Sequence, residues 1–248
     1  KAGAAFSQPA FFQRAEQTFQ FLKKYLQLSN GQWVHSYRER PGKVPAFLDD
    51  YAALIQACIY LQEVTGNAQY LHEAFSLTQT VLQLFSDNTS SLFYYTAQQQ
   101  EVYLPRTKQW VDGVTPSGNA LMAENLLYLS TVFNKPEWLQ QSKNMVQFIS
   151  SSILQYPLAF SHWAIVAQKH IYSIIEIAVV GKQASQKTKE LLQYFIPNKI
   201  LQSSHIPNNY FELLKNRSVA PTTFIYVCKN YECLQPKEEV QDAIGLLK

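Results

Sequence analysis

The segment YLQEVTGNAQYL, residues 60–71, is matched by YLSTVFNKPEWL, residues 128–139, at an offset of 68 residues. Tyrosine, leucine and valine recur at the same places, from Tyr60 and Tyr128 to Leu71 and Leu139. Each segment joins two apolar runs of helical spacing through a minimal turn, TGN or NKP. This repeat predicts helical hairpins stacked in series, as in a helical solenoid or an α/α toroid.

The predicted helices alternate between two types. Some are apolar nearly all round and must be buried on most sides, whereas others have one apolar and one polar face. Such alternation predicts an inner and an outer layer of helices. The apolar type covers 47–64, 119–133 and 161–171, and the amphipathic type covers 9–27, 69–85 and 137–154.

A different pattern begins near residue 173. The β-branched run SIIEIAVVG (173–181) predicts a buried strand, followed by a helix over 184–195 and a second strand over 198–204. This order predicts a βαβ unit, and a third strand over 222–228 precedes a closing helix near 238–247. We therefore expect a mostly α fold, with a partial α/α toroid over 1–172 and a small α/β appendage over 173–248.

Composition excludes several classes of partner. Lys and Arg total 21 against 18 for Asp and Glu, without runs of either sign, so neither nucleic acid nor a membrane surface is expected.

No leader is recognised before the first helix, and we interpret the start at Lys1 as a processed boundary. The compartment is unassigned, with the cytoplasm favoured. Cys58 lies in a helical apolar pattern, so we expect a buried free thiol there. Cys228 and Cys233 are spaced as neither a zinc ribbon nor a thioredoxin motif, so their redox state stays open and we expect no metal or cofactor.

The long connections, 28–46 and 86–118, lie on the face where the inner helices begin. The second contains SLFYYTAQQQEVYL (91–104), which predicts a β-hairpin. Long loops on one face of a repeat array commonly bind ligands. We therefore expect Asp50, Ser117, Asn119 and His162 to gather around one mouth.

Asp49 and Asp50 open an inner helix, where first-turn carboxylates ordinarily complement the helix dipole. A functional alternative pairs Asp50 with Asp112 as the two carboxylates of glycoside hydrolysis. The helix dipole favours a base or nucleophile role for Asp50. A second alternative uses His162 with His35 as the two bases of an epimerase.

Further candidates for ligand contact lie in the same loops and helix starts. Each has an ordinary role beside the functional one. Ser117 is a candidate helix cap, and the aromatic side chains either stack on a sugar or pack the loops onto the body. The loop cations bind an anionic group or are simply solvated. The candidate substrate-binding residues are Asp49, Tyr51, Tyr37, Arg38, Arg106, Lys108, Ser117, Gly118 and Asn119.

Three segments carry a family resemblance: SYRERPGKVPAFLDDYAAL (36–54), LPRTKQWVDGVTPSGNALMAENLLYL (104–129) and TTFIYVCKNYECLQP (222–236). Together they resemble the C-terminal part of the thioredoxin-domain proteins related to spermatogenesis-associated protein 20. Gln109 stands where the family pattern has glutamate, so no mechanism here relies on a carboxylate at that position.

The resemblance implies a thioredoxin-like domain followed by a six-hairpin toroid similar to those of sugar epimerases and glycosidases. We expect a carbohydrate-directed fragment with a sugar ligand and, if active, glycosidase- or epimerase-like chemistry. The alternative is a non-catalytic scaffold for a thioredoxin-like partner domain. A partial toroid also exposes apolar flanks, which predicts a homodimer.

Overall fold

A computed structural model describes residues 2–98, 105–172, 174–217, 222–229 and 232–247. About half of the chain is helical, and a small four-stranded sheet lies near its end. The helices are α1 (Ala2–Ala5), α2 (Pro9–Leu26), α3 (Leu48–Thr65), α4 (Gln69–Leu84), α5 (Gly118–Val132), α6 (Pro136–Gln155), α7 (Ser161–Ile171), α8 (Ala184–Leu191) and α9 (Val240–Gly245). The strands are β1 (Tyr37–Arg38), β2 (Arg40–Pro41), β3 (Ile175–Val180), β4 (Lys199–Ser204), β5 (Phe224–Lys229) and β6 (Glu232–Cys233).

The repeated segments form two equivalent helical hairpins, as predicted. α3 turns into α4 through Gly66, and α5 turns into α6 through Asn134. Both residues have left-handed backbone, with φ of 70° and 51°. Glycine and asparagine are the residues that most readily adopt this conformation after a helix, so the same turn closes both hairpins.

Burial follows the predicted alternation of helix types from α3 to α6, but α7, predicted as a buried helix, buries only Trp163 and Val166 of its eleven residues. α5 buries twelve of its fifteen residues, whereas α6 buries only Trp138, Ser142, Met145 and Ile149, which lie along one stripe. α3 packs against α4 and α5, and α5 packs in turn against α6 and α7. The inner helices α3, α5 and α7 are therefore neighbours, with α4 and α6 outside them.

The sheet has the strand order β4-β3-β5-β6. β3 and β4 are parallel and joined through α8, which confirms the predicted βαβ unit, and β5 is antiparallel to β3. Ala178, Val180 and Ile200 face the helical core, whereas Ile177 and Leu201 pack with α8 and α9. One face of the sheet thus packs against the helical body.

One local prediction is wrong for the described residues. Residues 91–98 form no strand, and the loop is tied to the end of α4 by hydrogen bonds from Tyr94 N–H to the Phe85 carbonyl and from Gln98 N–H to the Leu84 carbonyl, both 2.8 Å. The rest of the predicted hairpin, including Tyr103, lies outside the described residues.

The structure confirms the buried free thiol expected at Cys58 and resolves the redox state of the other two cysteines. Cys228 and Cys233 form a disulfide, because the β5–β6 register pairs them directly. Cys58 is a buried free thiol, and burial raises its pKa. Among the described residues, no helix has the length and apolarity needed to cross a bilayer.

Candidate functional site

Asp112 links the starts of two inner helices. Its Oδ1 accepts the N–H of Ser117 before α5, and its Oδ2 accepts the N–H of His162 in α7, both at 2.9 Å. The Asp112 N–H donates to the Ala159 carbonyl at 2.9 Å, so the loop itself is fixed. One carboxylate therefore satisfies unpaired amides at two helix N-termini and meets both positive dipole ends.

Asp49 and Asp50 lie on different sides of the start of α3. Asp50 Oδ2 accepts the Phe47 N–H at 2.9 Å and lies 2.8 Å from His35 Nδ1. Asp49 instead faces α5, where a Cβ on Gly118 would lie only 2.5 Å from Asp49 Oδ1. Burial and the charge of Asp50 raise the pKa of Asp49, and the Gly118 amide opposes this rise. Gly118 thus permits close contact between the two inner helices.

Ser117 and Asn119 both stabilise the start of α5. Ser117 Oγ accepts the Ala120 N–H at 3.2 Å, which is its capping role. The Asn119 side chain is fully buried: it accepts from the Phe93 N–H at 2.8 Å and donates to the Phe93 and Gln109 carbonyls. Asn119 therefore fixes the long loop onto α5.

The two loop cations are held by the protein. Arg106 donates to the carbonyls of Thr96 and Leu84 at 2.8 and 3.1 Å, the second at the C-terminal end of α4. Lys108 forms an ion pair with Asp87, and both side chains are largely buried. These contacts tie the loop to α4, which accounts for both cations without a ligand.

The aromatic candidates Tyr51 on α3 and Tyr37 on β1 are also packed. Tyr51 is buried, and its hydroxyl accepts the Trp33 N–H at 3.3 Å. The Tyr37 hydroxyl donates to the Glu39 carbonyl at 3.0 Å, and its ring contacts Tyr25. Arg38 is exposed beside it on β1. Contacts within the protein therefore account for both tyrosines.

A second polar group lies between the inner helices, and its centre is Glu124 on α5. Glu124 Oε2 accepts from Gln56 of α3 and meets His162 Nε2 of α7, both at 2.9 Å. Its Oε1 accepts from Lys169 at 2.6 Å. We name the inner polar seam as Gln56, Tyr60, Glu124, His162 and Lys169.

The seam is partly shielded from water and strongly polarised. The side chains of Glu124, His162 and Lys169 are 13%, 15% and 22% exposed. Burial alone would raise the pKa of Glu124, but hydrogen bonds and charge from His162 and Lys169 outweigh it and lower the pKa to about 2. Burial and the charges of Glu124 and Glu63 raise the pKa of Tyr60. Glu124 is therefore an anion at neutral pH.

The seam continues toward the sheet through a buried glutamate. Glu63 on α3 lies 3.4 Å from Lys199 Nζ and 3.3 Å from the Tyr128 hydroxyl. Burial raises the pKa of Glu63, and Lys199 opposes the rise. Polar side chains therefore extend from the helix starts, through Glu124 and Glu63, to Lys199 on β4.

Sequence reasoning missed Glu124, although the repeat contains a signal for it. Gln56 and Glu124 are separated by the repeat offset, so they occupy equivalent positions on successive inner helices. A charged residue in a helix that is otherwise apolar nearly all round must find partners or pay a desolvation cost. Among the described residues, no group of three or more histidines, cysteines or acids is arranged to hold a metal ion.

Comparison with known proteins confirms the resemblance found in the sequence. The chain is 25% identical to spermatogenesis-associated protein 20 of Homo sapiens over 94% of its own length, and equally so to the Mus musculus protein. An uncharacterised protein of Caenorhabditis elegans is 26% identical over 98% of the chain. The chain spans about a third of the length of these relatives. No known protein-family profile matches it.

Proposed function

We propose that this chain is a carbohydrate-directed portion of an α/α toroid, in which the inner polar seam binds a neutral sugar. The paired inner and outer helices and the two equivalent hairpins support this architecture. The observation that carries the proposal is Glu124 on α5, whose carboxylate is held by one side chain from α3 and two from α7 in a partly shielded place. Carboxylate, amide, phenol and imidazole groups together are suited to bind hydroxyl groups.

The seam and the helix starts also contain the components of acid–base chemistry. His162 meets Glu124 through Nε2, and His35 meets Asp50 through Nδ1. A carboxylate that accepts a hydrogen bond from an imidazole fixes its orientation and tautomer, as general acid–base catalysis requires. Two such pairs support an epimerase-like activity. A glycosidase-like pair of Asp50 and Asp112 has weaker support, because backbone amides occupy both oxygens of Asp112.

Saturation-transfer NMR against a panel of mono- and disaccharides tests the proposal. We expect transfer to at least one sugar at millimolar concentration, with binding weakened at least tenfold in Glu124→Gln and His162→Asn. Glu137→Gln, which alters an exposed glutamate on α6, is the matched control and should bind as the parent does. Melting temperatures establish that each variant is folded. Absence of transfer to every sugar from folded parent protein rejects the proposal.

The exposed apolar surface of α6 and α7 favours a second candidate, a non-catalytic scaffold. Leu154, Leu158 and Ile171 are 86%, 93% and 76% exposed. Leu154, in the last turn of α6, and Leu158, just after α6, are only four residues apart, and neighbouring exposed apolar side chains are typical of protein contacts. This surface would bind the thioredoxin-like domain of a longer protein or a second copy of the chain. Light scattering of parent and Leu158→Asp protein separates the two, because only a homodimer has twice the chain mass and loses it on substitution.

A further inference from the structure

A cavity of about 390 Å³ lies at the opposite end of α3 from the helix starts. It is bounded by the α3–α4 turn, the end of β4 and the segment that follows β4. Because β3 and β4 are parallel, this is also the edge where their carboxyl ends meet, which is the usual place for ligands in α/β units. The lining residues are Gln62, Gly66, Asn67, Ala68, Leu71, Gln202, Ser203, Ser204, His205, Ile206, Asn208, Phe211 and Leu214.

Two buried carboxamides in this lining lack hydrogen-bond partners. Gln62 and Gln202 are only 2% and 1% exposed. Within the described part of the chain, Oε1 of Gln62 and both Oε1 and Nε2 of Gln202 make no hydrogen bond. Each buried polar atom without a partner costs on the order of 1–3 kcal/mol, and apolar side chains would fill the same space without that cost. A ligand in the cavity would supply the missing hydrogen bonds.

The positions of both residues follow from the fold. Gln62 lies in the last turn of α3, just before the left-handed Gly66. Gln202 alternates with Ile200 along β4, so its side chain is on the face of the sheet that meets the helices. The unpaired atoms are covered in this structure, both residues line the cavity, and the terminal torsion of a glutamine side chain is broad.

The chemistry of the lining restricts the ligand. No residue of the lining is Asp, Glu, Lys or Arg, so it holds no permanent charge to balance a phosphate, carboxylate or ammonium group, and Nδ1 of its histidine, His205, donates to the Gly181 carbonyl at 3.2 Å. Leu71, Phe211 and Leu214 supply an apolar wall. A carboxamide presents a donor and an acceptor side by side, which matches the adjacent N–H and C=O of a ring amide, as in the bidentate contact of glutamine with a base edge.

We propose that this cavity binds an uncharged planar heterocycle with adjacent amide N–H and C=O groups, of the nucleobase class. Gln202 and Gln62 bind the polar edge, and the ring lies against the apolar wall. The volume is within the range of small-molecule sites. This site is separate from the inner polar seam and does not depend on a sugar ligand.

Ligand-observed NMR with uracil and hypoxanthine as probes tests the assignment. The control probe is 1,3-dimethyluracil, which keeps the ring and carbonyls but has no N–H. We expect uracil or hypoxanthine to bind the parent at millimolar concentration, and dimethyluracil to bind at least tenfold more weakly. Equal binding of uracil and dimethyluracil, or no binding of either base, overturns the proposal.

Variants locate the binding. Gln202→Leu should weaken base binding at least tenfold while leaving the melting temperature equal or higher, because it removes two unpaired buried atoms. Gln79→Leu, an exposed glutamine on α4, is the matched control. If Gln202→Leu fails to fold, Gln62→Leu, which changes the second carboxamide of the lining, provides the same test. Undiminished base binding in a folded variant at either position contradicts the proposal.

Discussion

Replacing Asp112 with alanine tests how the starts of α5 and α7 are held. The change removes the acceptor of the Ser117 and His162 amides. Loss of one cap costs about 0.5–2 kcal/mol, and loss of a favourable charge at a helix N-terminus costs about 0.3–1 kcal/mol. For two helices together we expect a loss of roughly 2–4 kcal/mol in the free energy of unfolding. Asp112→Asn keeps one acceptor and loses the charge, so about half of that loss is expected.

Urea unfolding monitored by circular dichroism measures these differences. Asp242→Ala is the control, since Asp242 is an exposed first-turn aspartate of α9, and its loss should stay below about 1 kcal/mol. If Asp112→Ala is no less stable than Asp242→Ala at an unchanged denaturant slope, Asp112 does not hold the two helices.

Three further predictions follow from individual contacts. Gly118→Ala should lower the free energy of unfolding by about 1–3 kcal/mol because its Cβ meets Asp49, whereas Gly245→Ala, which meets nothing within 4 Å, should be neutral in the same urea assay. The pKa of Glu124 is lowered from 4.5 to about 2, so ionised Glu124 stabilises the fold above about pH 4.5, and this stabilisation is lost as the pH falls toward 2. The free energy of urea unfolding should therefore fall less between about pH 5 and pH 3 in Glu124→Gln than in the parent. Because Cys228 and Cys233 are joined, one thiol per chain should react with Ellman's reagent in denatured protein that has not been reduced. Reaction of three thiols would contradict the disulfide.

Helix positions could be predicted closely from the sequence because apolar periodicity and turn residues coincide. The helix expected over 119–133 is observed over Gly118–Val132, preceded by the Ser117 cap and followed by the left-handed Asn134. Here local preference and burial lead to the same structure. The β-prone residues 91–98 are different, because packing of Phe93 and the buried Asn119 amide hold them as an irregular loop.

The candidate site could be predicted only in part. That inner-helix starts lie near one long loop follows from hairpin topology, and Asp112, Ser117 and His162 do lie together. The contacts of Glu124 join α3, α5 and α7, and no local sequence pattern predicts how these helices are rotated relative to one another. In a sequence, a single glutamate on a helix resembles an ordinary surface charge.

The disulfide was missed for a similar reason. A C-x4-C spacing is compatible with a tight hairpin, but β6 contains only two residues and has no strand pattern of its own. Its pairing with β5 is what brings Cys228 opposite Cys233.

The most direct test of the central claim is the ¹⁵N spectrum of the histidine side chains during titration with the sugar that gives the strongest saturation transfer. If a sugar occupies the inner polar seam, the ring nitrogens of His162 shift with the bound fraction, while those of the exposed His72 on α4 stay in place. A sugar that binds while both His162 nitrogens remain unchanged would contradict the claim.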